Sequence, residues 1–148
     1  MNGSLTKSQC ERILIGSMVG RIGCYFGGKT YVVPITYVFD SGYIYAHSKE
    51  GLKIKMMRKN TKVCFQVDQI DSMTNWRSVI LWGNFEELKS SAQQEKAVKI
   101  FVNGIEAFHT SESVKPDIGT LEIRPHKEKK PVFYRISIDE ITGRFEKQ

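Results

Sequence analysis

Two hydrophobic periods divide this chain. Helical spacing governs residues 5 to 15, where Cys10, Ile13 and Leu14 share a face. Two candidate capping boxes precede them, Thr6 with Gln9 and Ser8 with Glu11. Residues 19 to 25 read as a short strand, Phe26-Gly27-Gly28-Lys29 as a turn, and Thr30 to Phe39 as a strand rich in Val, Ile, Thr and Tyr. Asp40-Ser41-Gly42 predicts a hairpin returning through Tyr43 to His47. A helix over 51–60, a strand over 62–67, a polar loop over 69–76 and a long strand over 77–88 follow. Residues 91–108 form a helix with Ala97, Ile100, Phe101 and Ile105 as its stripe. A loop over 111–117 leads to a final hairpin, 119–124 with 132–138, around a charged turn. About six antiparallel strands with a few helices predict a small closed or partly closed barrel in one domain, residues 1–148.

Two irregularities stand out. Pro34 lies inside the strand-like run and cannot donate to a ladder, so this point is an edge, a bulge or a break. The strand over 77–88 is apolar on both faces, at Val79, Ile80, Leu81, Trp82 and Phe85. Its second face therefore needs a cover, either a helix or another subunit.

Composition narrows the class. With 41% hydrophobic and 26% charged residues, the 148-residue chain is ordinary globular protein rather than a disordered or fibrous one. No apolar run reaches membrane-helix length and no signal-peptide pattern opens the chain. Three cysteines without paired spacing point to a reducing, cytoplasmic setting. The net charge of +6 is concentrated: Lys49 to Lys62 holds six basic residues and one acid, and the other 134 residues sum to only +1. One compact basic segment suits a small anion at least as well as a nucleic acid, which usually meets a spread of Lys and Arg.

On a helical wheel of residues 51–60, Leu52, Ile54, Met56 and Met57 span an apolar arc of about 200°, and Lys53 falls inside it at about 100°. Such a lysine needs a partner, a ligand phosphate or a buried carboxylate. Lys55, Arg58 and Lys59 lie on the opposite, solvated side. His47 and Ser48 end a strand just before this helix. Ser48 either donates to an anion or caps the helix, and His47 either serves the site or packs on Tyr45. Trp76-Arg77-Ser78 is either a phosphate fork or a surface arginine beside a core tryptophan. His109 and His126 read as solvated. Cys10, Cys24 and Cys64 lie far apart, with Cys24 and Cys64 filling core, and no two histidines have metal spacing. No nucleophile elbow, phosphate loop or dinucleotide fingerprint is present.

In order along the chain stand Tyr31-Val32-Val33-Pro34-Ile35-Thr36-Tyr37, Ile44-Tyr45-Ala46-His47-Ser48, Gly51-Leu52-Lys53, Asn60 to Asp68, Trp76-Arg77-Ser78-Val79-Ile80 and Glu140-Ile141-Thr142-Gly143-Arg144. This series resembles the pyridoxamine 5′-phosphate oxidase-like, flavin-binding split-barrel family, and most of all its nitroimidazole-resistance branch. The resemblance implies a mainly β fold, a six-stranded antiparallel split β-barrel of Greek-key type with a few flanking helices. It implies a homodimer with two flavin mononucleotide (FMN) sites at the interface. By the same resemblance, the backbone of Pro34, Ile35, Thr36 and Tyr37 lines the flavin ring. His47, Ser48 and Lys53 meet its phosphate and ribityl chain, and Arg77 and Ser78 make the far-strand contacts. His47 also matches the branch's histidine near the flavin, which suggests proton delivery.

Three departures qualify the match. The extra basic residues that bind substrate phosphate in true pyridoxamine phosphate oxidases have no counterpart here, so vitamin B6 synthesis is not expected. The nitroimidazole-resistance branch usually has Asn where Thr36 stands, and Trp76-Arg77 is not its commonest pairing. The fold also hosts haem-degrading and deazaflavin-using members.

Three readings follow. The first is an FMN-dependent oxidoreductase acting on a small molecule such as a nitro compound or quinone. The second is a flavin- or haem-binding protein without turnover, with His47 the first haem ligand to test. The third, nucleic-acid binding through residues 49–62, is disfavoured because that stretch lacks aromatics for base stacking.

Overall fold

The computed structural model describes residues 1–108 and 130–148. Its elements are β1 (Asn2–Leu5), α1 (Lys7–Ile15), β2 (Val19–Phe26), β3 (Lys29–Thr36), β4 (Val38–Asp40), β5 (Tyr43–Ser48), α2 (Leu52–Lys59), β6 (Lys62–Ser72), β7 (Asn75–Leu88), α3 (Ser91–Phe108), β8 (Val132–Ser137) and β9 (Glu140–Glu146). The mainly β antiparallel architecture expected from the sequence is present, with nine strands rather than six. The order is β3-β2-β6-β7-β8-β5-β4, with β9 joining β7 to β1.

The barrel splits along β7. Its first half, Trp76 to Trp82, pairs with β9, and its second half, Phe85 to Leu88, pairs with β8. Gly83 sits at the fork, where a Cβ would collide with the Ser137 carbonyl. The fork is tied by Asp139 N–H donating to the Trp82 carbonyl (2.8 Å) and by Asn84 Nδ2 donating to Asp139 Oδ2 (2.8 Å).

Ile22, Phe65, Val67, Val79, Leu81, Tyr134 and Ile136 fill the barrel and are fully buried. Cys24 joins them, as expected, whereas Cys64 is half-buried on the other side of its strand. α1 is closed by the Thr6–Gln9 box. α3 packs against the far side of β5 and β8, Ala97 against Tyr45, Leu88 and Phe133. The 40–43 hairpin forms with Ser41 and Gly42 both at positive φ (48° and 83°), the geometry that matches strand twist.

Several boundaries differ from expectation. The run 30–39 breaks at Tyr37, not at Pro34. Pro34 stays in the ladder opposite Arg21 because β3 is an edge strand and can spare an N–H. Tyr37 turns inward instead, donating its hydroxyl to the Leu14 carbonyl (2.6 Å) and its N–H to the Met18 carbonyl (2.9 Å). The polar stretch 69–76 is mostly strand, because β6 and β7 continue pairing past the core to Ser72 and Asn75. Residues 119–124, read as half of a final hairpin, lie outside the described residues, as do His109 and His126. Val132–Ser137 pairs instead with β5 and β7.

Candidate functional site

Ladder register decides which side chains share a face, because residues directly opposite each other point the same way. Val33, Ile22, Phe65 and Leu81 form an inward row. The outward rows are Val32, Gly23, Cys64 and Trp82, then Pro34, Arg21, Gln66 and Ile80, then Asp68, Ser78 and Arg144. Thr36, opposite Val19, continues the outward side of β3. Three residues expected at the flavin, Pro34, Thr36 and Ser78, thus lie on one face of one sheet. Ile35 and Tyr37 are buried behind that face. The face is apolar in its first row, with Val32 61% exposed and Trp82 41% exposed. Among the described residues, nothing supplies the cover that the sequence called for on the second face of β7 at Trp82. A shallow hollow of about 380 Å³ opens there between Val32, Cys64 and Trp82.

The second part of the site is the start of α2. Its N-cap is Gly51, which supplies no side-chain cap, and its first turn holds no acid. Lys55 N–H is the first to find a helical carbonyl, that of Gly51 (3.1 Å), so the N–H groups of Leu52, Lys53 and Ile54 precede the hydrogen-bonded turn. Ser48 does not cap them: its hydroxyl donates to the neighbouring Lys49 carbonyl (2.7 Å). Glu50, just ahead of Gly51, is occupied by Arg58 at 2.6 Å. Free N–H groups and the positive end of the helix dipole make this terminus receptive to an anion.

Lys53 lies within that first turn, half-buried as its wheel position predicted. Burial lowers its pKa below the ordinary lysine value, partly offset by the nearby Cys24 thiol. Among the described residues no carboxylate pairs with it, so the buried-carboxylate alternative finds no support. Cys24 itself pairs across the ladder with Tyr31, three residues before Pro34. Leu52, by contrast, leaves its predicted apolar arc and is 47% exposed. Arg58 is not simply solvated: it forks onto Glu87 (2.7 and 3.1 Å) as well as meeting Glu50.

The remaining expected residues are spread around this core. His47 does not pack on Tyr45; it stands edge-on to Phe101 (5.0 Å between centroids) and tilted over Phe133 (5.9 Å), on the α3 side of its strand. Burial there lowers its pKa, which favours the neutral ring. Arg77 and Ser78 are consecutive in β7 and alternate across it, so they do not form a fork on one face. The larger hollow, about 500 Å³, lies elsewhere, between α1, β4 and α3.

The structure adds residues the sequence reading passed over. Asp68 Oδ2 accepts from Arg21 Nη1 (3.3 Å) and from Gln66 Nε2 (3.0 Å), and Gln66 Nε2 also donates to Ser78 Oγ (3.0 Å). The available signal was alternation: Gln66 and Asp68 interleave with the apolar Phe65 and Val67, which marks a polar outer face.

Comparison with known proteins bears on fold and family. The chain shares 31% identity over 87 residues with an uncharacterized protein of Rhizobium meliloti (strain 1021); the match takes in 59% of this chain and 58% of that relative, so it spans little more than half the relative's length. Among solved structures, a FAD-binding protein from Mesorhizobium loti superposes with a TM-score of 0.73 at 28% identity, covering 98% of both chains. A candidate 5-nitroimidazole antibiotic resistance protein from Bacteroides thetaiotaomicron gives a TM-score of 0.71 at 19% identity, covering 98% of this chain and 87% of that one. A FAD-binding protein from Mycobacterium smegmatis gives 0.67 at 20% identity over 97% of this chain and all of that one, a likeness of fold. The family profile for pyridoxamine 5′-phosphate oxidase matches residues 6–145, nearly the whole chain, and the chain belongs to that family.

Proposed function

We propose that the chain is a flavin-dependent oxidoreductase that binds FMN and passes electrons to small nitro or quinone-type acceptors. The observation that carries this reading is the start of α2: a helix terminus without a side-chain cap, with a half-buried Lys53 in its first turn that no carboxylate among the described residues pairs. A lysine at that end of a helix opposes the dipole, and a phosphate satisfies lysine, dipole and free N–H groups together. The FAD-binding proteins similar in fold support a flavin as the ligand that carries the phosphate.

In this reading Gly51 to Lys53 hold the phosphate, with His47 and Ser48 on the strand that leads to it. The β3 edge from Pro34 to Thr36 lines the ring, and the buried Tyr37 fixes that edge by its bonds to Leu14 and Met18. Ser78 supplies a hydroxyl on the same outward face, and Arg77 a charge at the strand end. The flavin supplies the redox chemistry; the protein binds it, orients it and tunes it. A ring lying on one exposed sheet face would keep its other side in water. A second copy of the chain covers it, which explains the exposed Val32 and Trp82 and makes the working unit a homodimer.

Purified protein equilibrated with FMN and desalted is expected to remain yellow, and reduced nicotinamide followed by a nitro or quinone acceptor is expected to bleach and restore the colour. Bound flavin that no nicotinamide cofactor reduces would instead identify a binding protein without turnover.

A further inference from the structure

We propose that Arg21, Asp68 and Gln66 form a positioning chain that turns the Ser78 hydroxyl into a hydrogen-bond donor toward bound flavin; this rests on the reading of the outward face as the flavin site. The chemistry of each atom fixes the direction. An ionised carboxylate has no hydrogen to give, so the group facing Asp68 Oδ2 at 3.0 Å is the amide nitrogen of Gln66 and not its oxygen. That nitrogen has two hydrogens. One goes to Asp68, and the other goes to Ser78 Oγ at 3.0 Å. Ser78 Oγ therefore accepts along the sheet, and its own hydrogen is left to point elsewhere. Across the next strand Ser78 faces Arg144, which offers donors only. Among the described residues no acceptor takes the Ser78 hydrogen, so it is directed off the sheet, on the face shared with Pro34 and Thr36.

Arg21 completes the chain. Its Nη1 holds the same Asp68 oxygen at 3.3 Å, keeping the carboxylate in place. Without Asp68, no carboxylate among the described residues fixes the amide orientation, and a turned amide would present its oxygen to Ser78 and capture the hydroxyl hydrogen. The carbonyl oxygens and N1 of a flavin are acceptors, and the N1–C2 carbonyl edge gains negative charge on reduction. A preset donor therefore holds the reduced form more tightly than the oxidised one.

The test is a double-mutant cycle on FMN affinity, with the visible spectrum of the bound flavin as a second readout. Ser78→Ala removes the donor and is expected to weaken FMN binding about tenfold. Gln66→Glu places an acceptor beside Ser78 and is expected to match that loss and shift the flavin bands in the same direction. Gln66→Met, of similar size without polar atoms, is expected to cost less than Gln66→Glu. In a Ser78→Ala background neither Gln66 substitution should change affinity or spectrum further. Losses that multiply, or a Gln66→Glu protein with wild-type affinity and spectrum, would overturn the positioning chain while leaving the flavin site intact. Wild-type protein that takes up no flavin would overturn both.

Discussion

α1 and α2 are similar in length and opposite in design. α1 is finished within the chain: Gln9 N–H donates to Thr6 Oγ1 (3.2 Å) and Thr6 N–H donates to Gln9 Oε1 (2.8 Å). α2 begins at a glycine, offers three backbone donors without a side-chain cap, and adds a lysine where a carboxylate would suit the dipole. Both helices bury an apolar stripe, Cys10, Ile13 and Leu14 in α1 and Ile54, Met56 and Met57 in α2. The difference is therefore not in how they pack. It lies in what their first turns are for: the N-terminus of α1 is structural, and that of α2 is left open to an anion.

The largest expected effect is on ligand binding. Lys53→Ala should weaken FMN binding about 10- to 100-fold, the range of a charged hydrogen bond. Lys59→Ala, whose ammonium rests 5.5 Å over Phe26, should leave it unchanged. Equal effects in a titration followed by flavin fluorescence would erase the contrast between the two faces of α2. The same pair sets a pH dependence. Burial lowers the Lys53 pKa, so as pH rises the free protein loses the ammonium earlier than an ordinary lysine would, and phosphate affinity falls. Lys53→Arg, which keeps its charge, should flatten that fall.

A smaller effect is expected at α1. Thr6→Ala should cost about 1 kcal/mol of stability in denaturant unfolding and leave FMN affinity alone. Ser48→Ala, which removes no helix cap, should cost less stability than Thr6→Ala. A Thr6→Ala protein as stable as wild type would undo the description of α1.

The smallest effect concerns His47. Its folded-state pKa lies below that of the unfolded chain because of burial against Phe101 and Phe133. As pH falls below about 6.5, the unfolded chain takes a proton that the folded one resists, so stability drops. His47→Phe should remove part of the acid-side loss in melting temperature between pH 7 and pH 5, and an unchanged slope would contradict the burial argument.

Local signals made much of this legible. The Thr6 box, the Asp40–Tyr43 hairpin, the α3 stripe and the inward Lys53 were all readable from residues a few positions apart, because caps, turns and helix faces are set locally. What escaped depends on distant pairing. Asn2–Leu5 and Glu140–Glu146 became strands because they pair with each other and with β7, across almost the whole chain. The fork at Gly83 needs Ser137, and the break at Tyr37 needs Leu14 and Met18. The site divides the same way. The inward Lys53, the proposed phosphate end, was visible in one helix, whereas the Arg21–Asp68–Gln66–Ser78 chain joins three strands and exists only in register.

The most direct test of the account is the absorbance spectrum of wild-type protein after equilibration with excess FMN and removal of the unbound fraction. Retained flavin bands in a near-stoichiometric ratio to protein are expected, lost when Lys53 is replaced by Ala. A colourless wild-type protein, or a Lys53→Ala variant that retains flavin equally well, would contradict the account.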